Sequence, residues 1–462
     1  MGTLGILLSL VLLMYLAYRG ISVLLLAPLL ALFAILMSGE AAMLLPTYTQ
    51  VFMKAMGGYL IQFFPLFLLG ALFGKLMDDS GSARTIAHAI VAKVGSARAV
   101  LAIVLACGIL TYGGVSLFVV AFAVYPIGAA LFHEAGIPKR LIPGAIALGS
   151  FTFTMTALPG TPAIQNAIPS PFFGTDAFAA PGLGAIGGLI MFALGTWWLS
   201  AQARKLMAAG EGYGHHADEP KSEDERPMPG FWLALLPILV VIGLNFVMAK
   251  QVLPNIDTSY LARPEFGGLQ DARSLIGIWA IIVALSVAIL LLVAMHWTRW
   301  TNLMRTVNEG SYGSMLPILN TATEVGYGTV IASLAGFVVI RDLVLGIAPG
   351  NPLVSEAVAV NVLAGITGSA SGGMSIALKT LGAEYLAMAN AAGISPELLH
   401  RVATMASGCM DSLPHNGAVI SLLAICRLTH RESYGFIAMN TVVFPLLSLA
   451  VVITLGTVFG SF

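Results

Sequence analysis

Leu158-Pro159-Gly160-Thr161-Pro162-Ala163-Ile164 reads as a copy of Leu413-Pro414-His415-Asn416-Gly417-Ala418-Val419, 255 residues further along the chain. Proline removes a backbone donor and its ring clashes with the preceding helical turn. Each stretch therefore interrupts an apolar run that would otherwise be one continuous helix. Upstream, Gly113-Gly114-Val115-Ser116 matches Gly372-Gly373-Met374-Ser375 at an offset of 259, and Ala135-Gly136-Ile137 lines up with Ala392-Gly393-Ile394. Helix breakers at corresponding points of two halves of a hydrophobic chain point to the substrate site of a transporter.

Composition places these breaks in a membrane. Of 462 residues, 58% are hydrophobic and 10% charged, against about 25% charged in soluble domains. That is too little polar surface for a water-soluble body, so the lipid bilayer is the first partner. The 22 basic and 22 acidic residues cancel, which leaves no basic footprint for nucleic acid. Cys107, Cys409 and Cys426 sit in apolar surroundings without paired spacing, which excludes a disulfide framework or zinc site. Residues 2–18 lack a basic leader and a small-residue cleavage site, and read as a retained span.

A crossing needs about 20 apolar residues. Candidates are 3–17, 20–39, 57–77 and 181–200, then 231–248, 274–296, 314–338 and 433–459. Between them lie a stretch folded in two by its glycines (97–134, and 354–389 around Gly372-Gly373) and a stretch broken at Leu-Pro (140–168 and 396–423). The expectation is an all-α polytopic membrane protein of two repeats, 1–200 and 230–462. Each has five transmembrane helices, one of them discontinuous, plus one re-entrant hairpin. Five crossings is odd, so the repeats are inverted. Residues 201–229 form a charged cytoplasmic linker. Fifteen of the 22 Lys and Arg fall on the linker side, which puts both termini outside. Ser80 to Gly95 reads as an interfacial amphipathic segment.

Non-helical backbone at bilayer depth is tolerated only where it lines a buried or wet cavity, and half-helix N-termini suit a carboxylate. The first hairpin offers Thr111, Tyr112, Gly113, Gly114 and Ser116; the second offers Thr367, Ser369, Ser371, Gly372, Gly373 and Ser375. The first Leu-Pro break adds Thr156, Gly160, Thr161, Gln165 and Asn166, and the second adds Ser412, His415 and Asn416. Together they would make one polar chamber for a small hydroxylated acid between opposing tips. The competing reading is that Gly and Ser only permit close helix packing.

Three ionisable groups are proton-coupling candidates, since such groups inside a span are functional hypotheses by default. Asp411 and His415 flank the second break, where the first half has Thr156 and Gly160; Asp411 could instead cap a half-helix starting at Ser412 or Leu413. Glu324 falls mid-span beside Asn320, Thr321 and Thr323, where it could carry a proton, ligate a cation or be a buried acid bonded to a neighbouring helix. Lys379, seven residues past the second Gly-Gly, could balance a substrate carboxylate but reads first as snorkelling or ion-paired; Asp78 and Asp79 read as a solvated cap, and Gly70/Gly74 as a packing pair. Walker, HExxH and GxSxG motifs do not occur, so the chain is not expected to be an enzyme and needs no cofactor.

The stretch Asp411 to Ile420, with Gly70 to Ser82 and Gly113-Gly114-Val115-Ser116, resembles the gluconate permease (GntP) family, within the wider ion-transporter superfamily. The similarity covers nearly the whole chain and is weakest in 201–229 and the first two spans. It implies an inner-membrane symporter, dimeric in related members, that takes up gluconate or related hydroxy acids with protons by an elevator-like shift. The second break is closer to the branch handling 3-hydroxybutyrate and short organic acids. Sodium-dependent relatives carry Ser-Asn-Thr tips; the Gly-Gly-Val-Ser and Gly-Gly-Met-Ser found here favour protons. A sodium-coupled carboxylate symporter and an uncoupled organic-anion facilitator are the alternatives.

Overall fold

Only helices and their connections occur among the described residues of the computed structural model, which are 2–214, 228–266, 272–348, 350–414 and 416–462. Most of the charged linker (215–227) and His415 lie outside them.

The first half opens with α1 (Gly2–Tyr18) and α2 (Val23–Met37). A short α3 (Leu44–Thr47) runs through one π-helical turn into α4 (Met53–Asp79), followed by α5 (Ser82–Val94). A helix–turn–helix follows, made of α6 (Ala99–Tyr112) and α7 (Leu117–Glu134). Next come α8 (Ile142–Ser150) and α9 (Phe153–Thr156), an interruption over 157–163, then α10 (Ile164–Ala167), α11 (Ser170–Phe173) and the long α12 (Pro181–Ala208). The second half runs α13 (Phe231–Val247), α14 (Arg273–Met295), α15 (Leu303–Gly313), α16 (Met315–Ser333) and α17 (Phe337–Leu345). Its helix–turn–helix is α18 (Pro352–Thr367) and α19 (Ala370–Ala391). Then α20 (Pro396–Ser407) stops, and the chain resumes as α21 (Gly417–Ile425), α22 (His430–Ala438) and α23 (Phe444–Phe459).

Five helical segments among the described residues are long and apolar enough to cross a membrane: 41–79, Pro181–Ala208, Phe231–Asn255, Arg273–Met295 and His430–Phe459. Two further pairs qualify if each is one span bent by 99° or 97°. At a rise of about 1.5 Å per residue, the 14 residues of α6 and 16 of α18 reach only about 21 and 24 Å, short of a roughly 30 Å hydrocarbon core.

The same packing pairs recur in the two halves. α1 lies on α2 as α13 lies on α14, and α2 packs on α16 as α14 packs on α4. Likewise α5 meets α13 while α17 meets α1, and α12 runs along α23. Each half therefore completes its core with helices of the other, and burial of Leu76, Ile103, Leu148, Ile281, Leu399 and Val452 ties them into one hydrophobic cluster.

Several sequence readings shift. The second helix–turn–helix turns at Gly368-Ser369, one helical turn before Gly372-Gly373, which lie inside α19. α5 is part of the bundle, with Ser82, Ala83, Thr85, Ile86 and Ala87 buried against α6, α7 and α13. Asp79 is a joint, not a solvated cap: it accepts from Lys75 Nζ at 3.0 Å and Thr306 Oγ1 at 2.6 Å, fastening α4 to α15. In the Gly70/Gly74 pair only Gly74 is closely approached, by the Ser116 backbone.

Candidate functional site

Each turn leans on the interrupted helix of its own half. In the first, Gly114 adopts φ +93°, a left-handed conformation that glycine takes without strain; a Cβ there would come within 2.8 Å of Pro162 Cγ. Tyr112 Oη donates to the Pro159 carbonyl at 2.7 Å. In the second, Gly368 at φ +64° ends α18, and its carbonyl accepts from Asn416 Nδ2 at 2.7 Å. Asn416 Oδ1 meanwhile caps α21, accepting from Ala418 N at 2.6 Å and Val419 N at 3.0 Å. The first hairpin thus answers a carbonyl of its break, while at the second the break answers a carbonyl of the hairpin and caps its own half-helix.

Gly113 abuts Ile238 of α13 and Gly114 approaches Leu285 of α14, whereas the second turn meets α16. Each turn thus carries its own polar half-site, one against α13 and α14 and the other against α16.

The half-site at the second turn carries the polar groups. Ser369 caps α19 by accepting from Gly372 N at 3.0 Å. Its hydroxyl lies 3.4 Å from Ser371 Oγ, which is 3.2 Å from Thr321 Oγ1. Glu324, 2% exposed, points its carboxylate at this corner. Gly372 is what makes room, since a Cβ there would overlap the Glu324 carboxylate. Tyr59 of α4 lies beside Ser375 and Glu324. Glu324 Oε2, Asn320 Oδ1, Tyr59 Oη and Ser375 Oγ are buried without hydrogen-bond partners. Buried unpaired polar atoms are costly, and a cluster of them marks a place where a ligand, proton or water completes the network. Gly373 has a packing role: a Cβ would collide with the Ala364 backbone of α18.

At the first break, Gly160 (φ +81°) donates its N–H to the Ala177 carbonyl at 2.8 Å and accepts from Asn245 Nδ2 at 3.2 Å. Thr161 Oγ1 accepts from Ala163 N at 3.4 Å, and Thr156 Oγ1 donates to Thr152 O at 3.1 Å. Asn166 donates to Thr161 O and Ala177 O. These contacts hold the break together. Thr111 Oγ1 and Gln165 Oε1 remain buried without partners. At the second break Ser412 Oγ donates to Asp411 Oδ1 at 2.8 Å, and the Ser412 carbonyl accepts from Tyr434 Oη at 3.1 Å. Asp411 caps no helix, because α21 starts at Gly417.

Arg401 is a residue whose role the sequence reading missed. It is 0% exposed, forms no ion pair among the described residues, and spends its donors on backbone Ala179 O at 2.7 and 3.1 Å and Thr156 O and Ala177 O at 3.4 Å, and on the side-chain Asn166 Oδ1 at 3.1 Å. His400 beside it contacts Thr175 Oγ1 at 2.7 Å. Glu356 of α18 is also fully buried, with both carboxylate oxygens unpartnered. Both were legible as lone charges in apolar runs. Tyr59 carried no such signal.

A family model described as GntP family permease matches residues 1–426. The "Uncharacterized transporter YxjC" of Bacillus subtilis (strain 168) is 48% identical over 445 residues, 93% of each chain. Among solved structures, the YdaH transporter of Alcanivorax borkumensis superposes with TM-score 0.57 at 17% identity, covering 88% of both chains. MtrF of Neisseria gonorrhoeae, described with a class of antimetabolite efflux pumps, gives 0.54 at 13%, over 90% of this chain and 84% of that one. At such identities these two structures speak for a shared fold. A family match over most of its length, together with a transporter relative at 48% identity, shows that this multi-pass membrane protein belongs to the GntP family of permeases.

Proposed function

We propose that the chain is a secondary active symporter that carries a small monocarboxylate, such as 3-hydroxybutyrate or gluconate, into the cytoplasm with protons. The observation that carries this reading is the Glu324 carboxylate, buried on α16 against the second hairpin turn with one oxygen unpartnered. Protonation would turn that oxygen from acceptor to donor at the seam between a spanning helix and the hairpin, which is where a proton could bias movement of one against the other. Hydroxyls of Thr321, Ser369, Ser371 and Ser375 at the same corner suit a hydroxylated acid. Asp411, beside Ser412 and Asn416, is the second protonatable group, and Thr111, Tyr112, Thr156, Thr161 and Asn166 build the first half-site.

In this reading the recurring packing pairs reflect two inverted repeats, the short hairpins are re-entrant, and both termini face the outside of a bacterial inner membrane. The protein works as a homodimer, with the hairpin-bearing core shifting in elevator fashion. Membrane cost argues the same way, because a turn such as Gly368-Ser369 exposed to hydrocarbon would leave backbone groups unpaired.

The test is reconstitution into liposomes with labelled 3-hydroxybutyrate and gluconate. An inward proton gradient should drive accumulation above equilibrium. Accumulation that follows a sodium gradient, or mere equilibration, refutes proton symport.

A further inference from the structure

A cavity of about 310 Å³ opens between α4, α11 and α19 and adjoins the second half-site, sharing Tyr59 and Ser375 with it. This is near the lower end of the roughly 300–1,000 Å³ of small-molecule sites. Lys54, Tyr59 and Gln62 of α4 line one wall, and Ser375 and Lys379 of α19 the other. Ser375 and Lys379 are four residues apart and share one helix face. We propose that this cavity is an anion-docking vestibule, where Lys54 and Lys379 hold the carboxylate of the incoming acid and Tyr59 Oη and Ser375 Oγ pass it toward Glu324. The proposal rests on the carboxylate-transport reading and names where the substrate first binds.

Two independent features point to a ligand. Tyr59 Oη and Ser375 Oγ, on residues 5% and 2% exposed, line the cavity and have no hydrogen-bond partner. The lysines are both exposed, and neither has an ion-pair partner among the described residues. Both lysines line the cavity, and its described lining holds no Asp or Glu. With no carboxylate of the chain supplied, the cavity is a wet, positively charged recess, and its walls focus anions. Tyr59 lines the recess and lies within electrostatic reach of Glu324.

The experiment uses Gly58→Cys. Gly58 lines the cavity, a Cβ there meets nothing within 4 Å, and the native cysteines are buried. In liposomes of neutral phosphatidylcholine, the anionic sulfonatoethyl methanethiosulfonate should label this cysteine about tenfold or more faster than its cationic trimethylammonium analogue. The preference should fall toward unity in Lys54→Gln/Lys379→Gln. Added 3-hydroxybutyrate or gluconate should slow labelling, and about tenfold more acid should be needed in Lys379→Gln, a charge-assisted bond being lost. Equal rates for the two reagents, a preference unchanged without the lysines, or no protection by either acid overturns the proposal. Protection that requires added phosphatidylglycerol in place of an acid also overturns it, since the recess would then hold a lipid headgroup. If uptake proves not to follow the proton gradient while protection persists, the symport reading fails and the vestibule stands.

Discussion

Arg401 offers the sharpest test of what holds the first break open. Its guanidinium gives the Ala179 carbonyl two hydrogen bonds, at 2.7 and 3.1 Å, and the Thr156 carbonyl one, at 3.4 Å. Neither carbonyl has another partner among the bonds of the described residues. The Ala177 carbonyl, by contrast, keeps Gly160 N and Asn166 Nδ2. Arg401→Met fills much of the volume and leaves two buried carbonyls orphaned, at about 1–3 kcal/mol each, so the expected loss is about 2–6 kcal/mol. Removing an unpaired buried charge offsets part of that, which puts the expectation in the lower half of the range. Arg401→Lys keeps the charge but loses the planar fork; its ammonium can serve the Ala179 carbonyl and not Thr156 as well, so it should fall between Met and wild type. Cys107, Cys409 and Cys426 are all buried free thiols, which supplies an assay without added probes: a thiol-reactive fluorophore reports unfolding of detergent-purified protein as temperature rises. The midpoint should drop in the order wild type, Lys, Met. If Lys and Met variants melt with wild type, the guanidinium does not hold the break and the argument from orphaned carbonyls is wrong.

Other outcomes follow from the same geometry. Glu324→Gln should abolish uptake driven by a proton gradient while counterflow exchange persists in part, and gradient-driven uptake at the wild-type rate would remove Glu324 from coupling. Asp411→Asn should behave similarly if the second break shares the proton; wild-type accumulation would restrict coupling to Glu324. Gly373→Ala should lower the melting midpoint by the equivalent of about 1–3 kcal/mol, because the new Cβ meets the Ala364 backbone, which cannot rotate away. Gly57→Ala in α4, where nothing lies within 4 Å, should instead stabilise by about 0.5–1 kcal/mol. Equal effects at the two glycines would contradict the close approach of α18 and α19.

The membrane class and the helix interruptions were legible because both rest on strong local chemistry: too few charges to face water, and proline's missing donor. α9 and α20 do stop short of Leu158-Pro159 and Leu413-Pro414. Harder to read was which glycines turn the chain. Glycine serves a turn and a close helix contact equally well, and a sequence carries no sign of which is in use. The match of Gly113-Gly114 to Gly372-Gly373 at an offset of 259 therefore misled, and the partners of Arg401 were hard to see because all but the Asn166 side chain are backbone atoms.

The offset of the Leu-Pro pair resolves the ambiguity. Moving 255 residues on from Gly113-Gly114 lands on Gly368-Ser369, the observed second turn. The positive-φ glycines Gly136 (+65°) and Gly393 (+69°) that follow each hairpin keep nearly the same spacing. The turn itself thus keeps the 255 offset of the Leu-Pro pair, four residues short of the Gly-Gly match, about one helical turn. Ser116 then corresponds to Ser371, whose hydroxyl sits between Thr321 and Ser369. Gly372 and Gly373 become features of the second half alone, one clearing space for a carboxylate and the other letting α18 close behind it. The halves differ where Glu324 reaches the hairpin, so under the proposed proton symport the coupling asymmetry would lie in α16 and the first turn of α19, and substitutions there should alter coupling more than equivalent ones at the first hairpin.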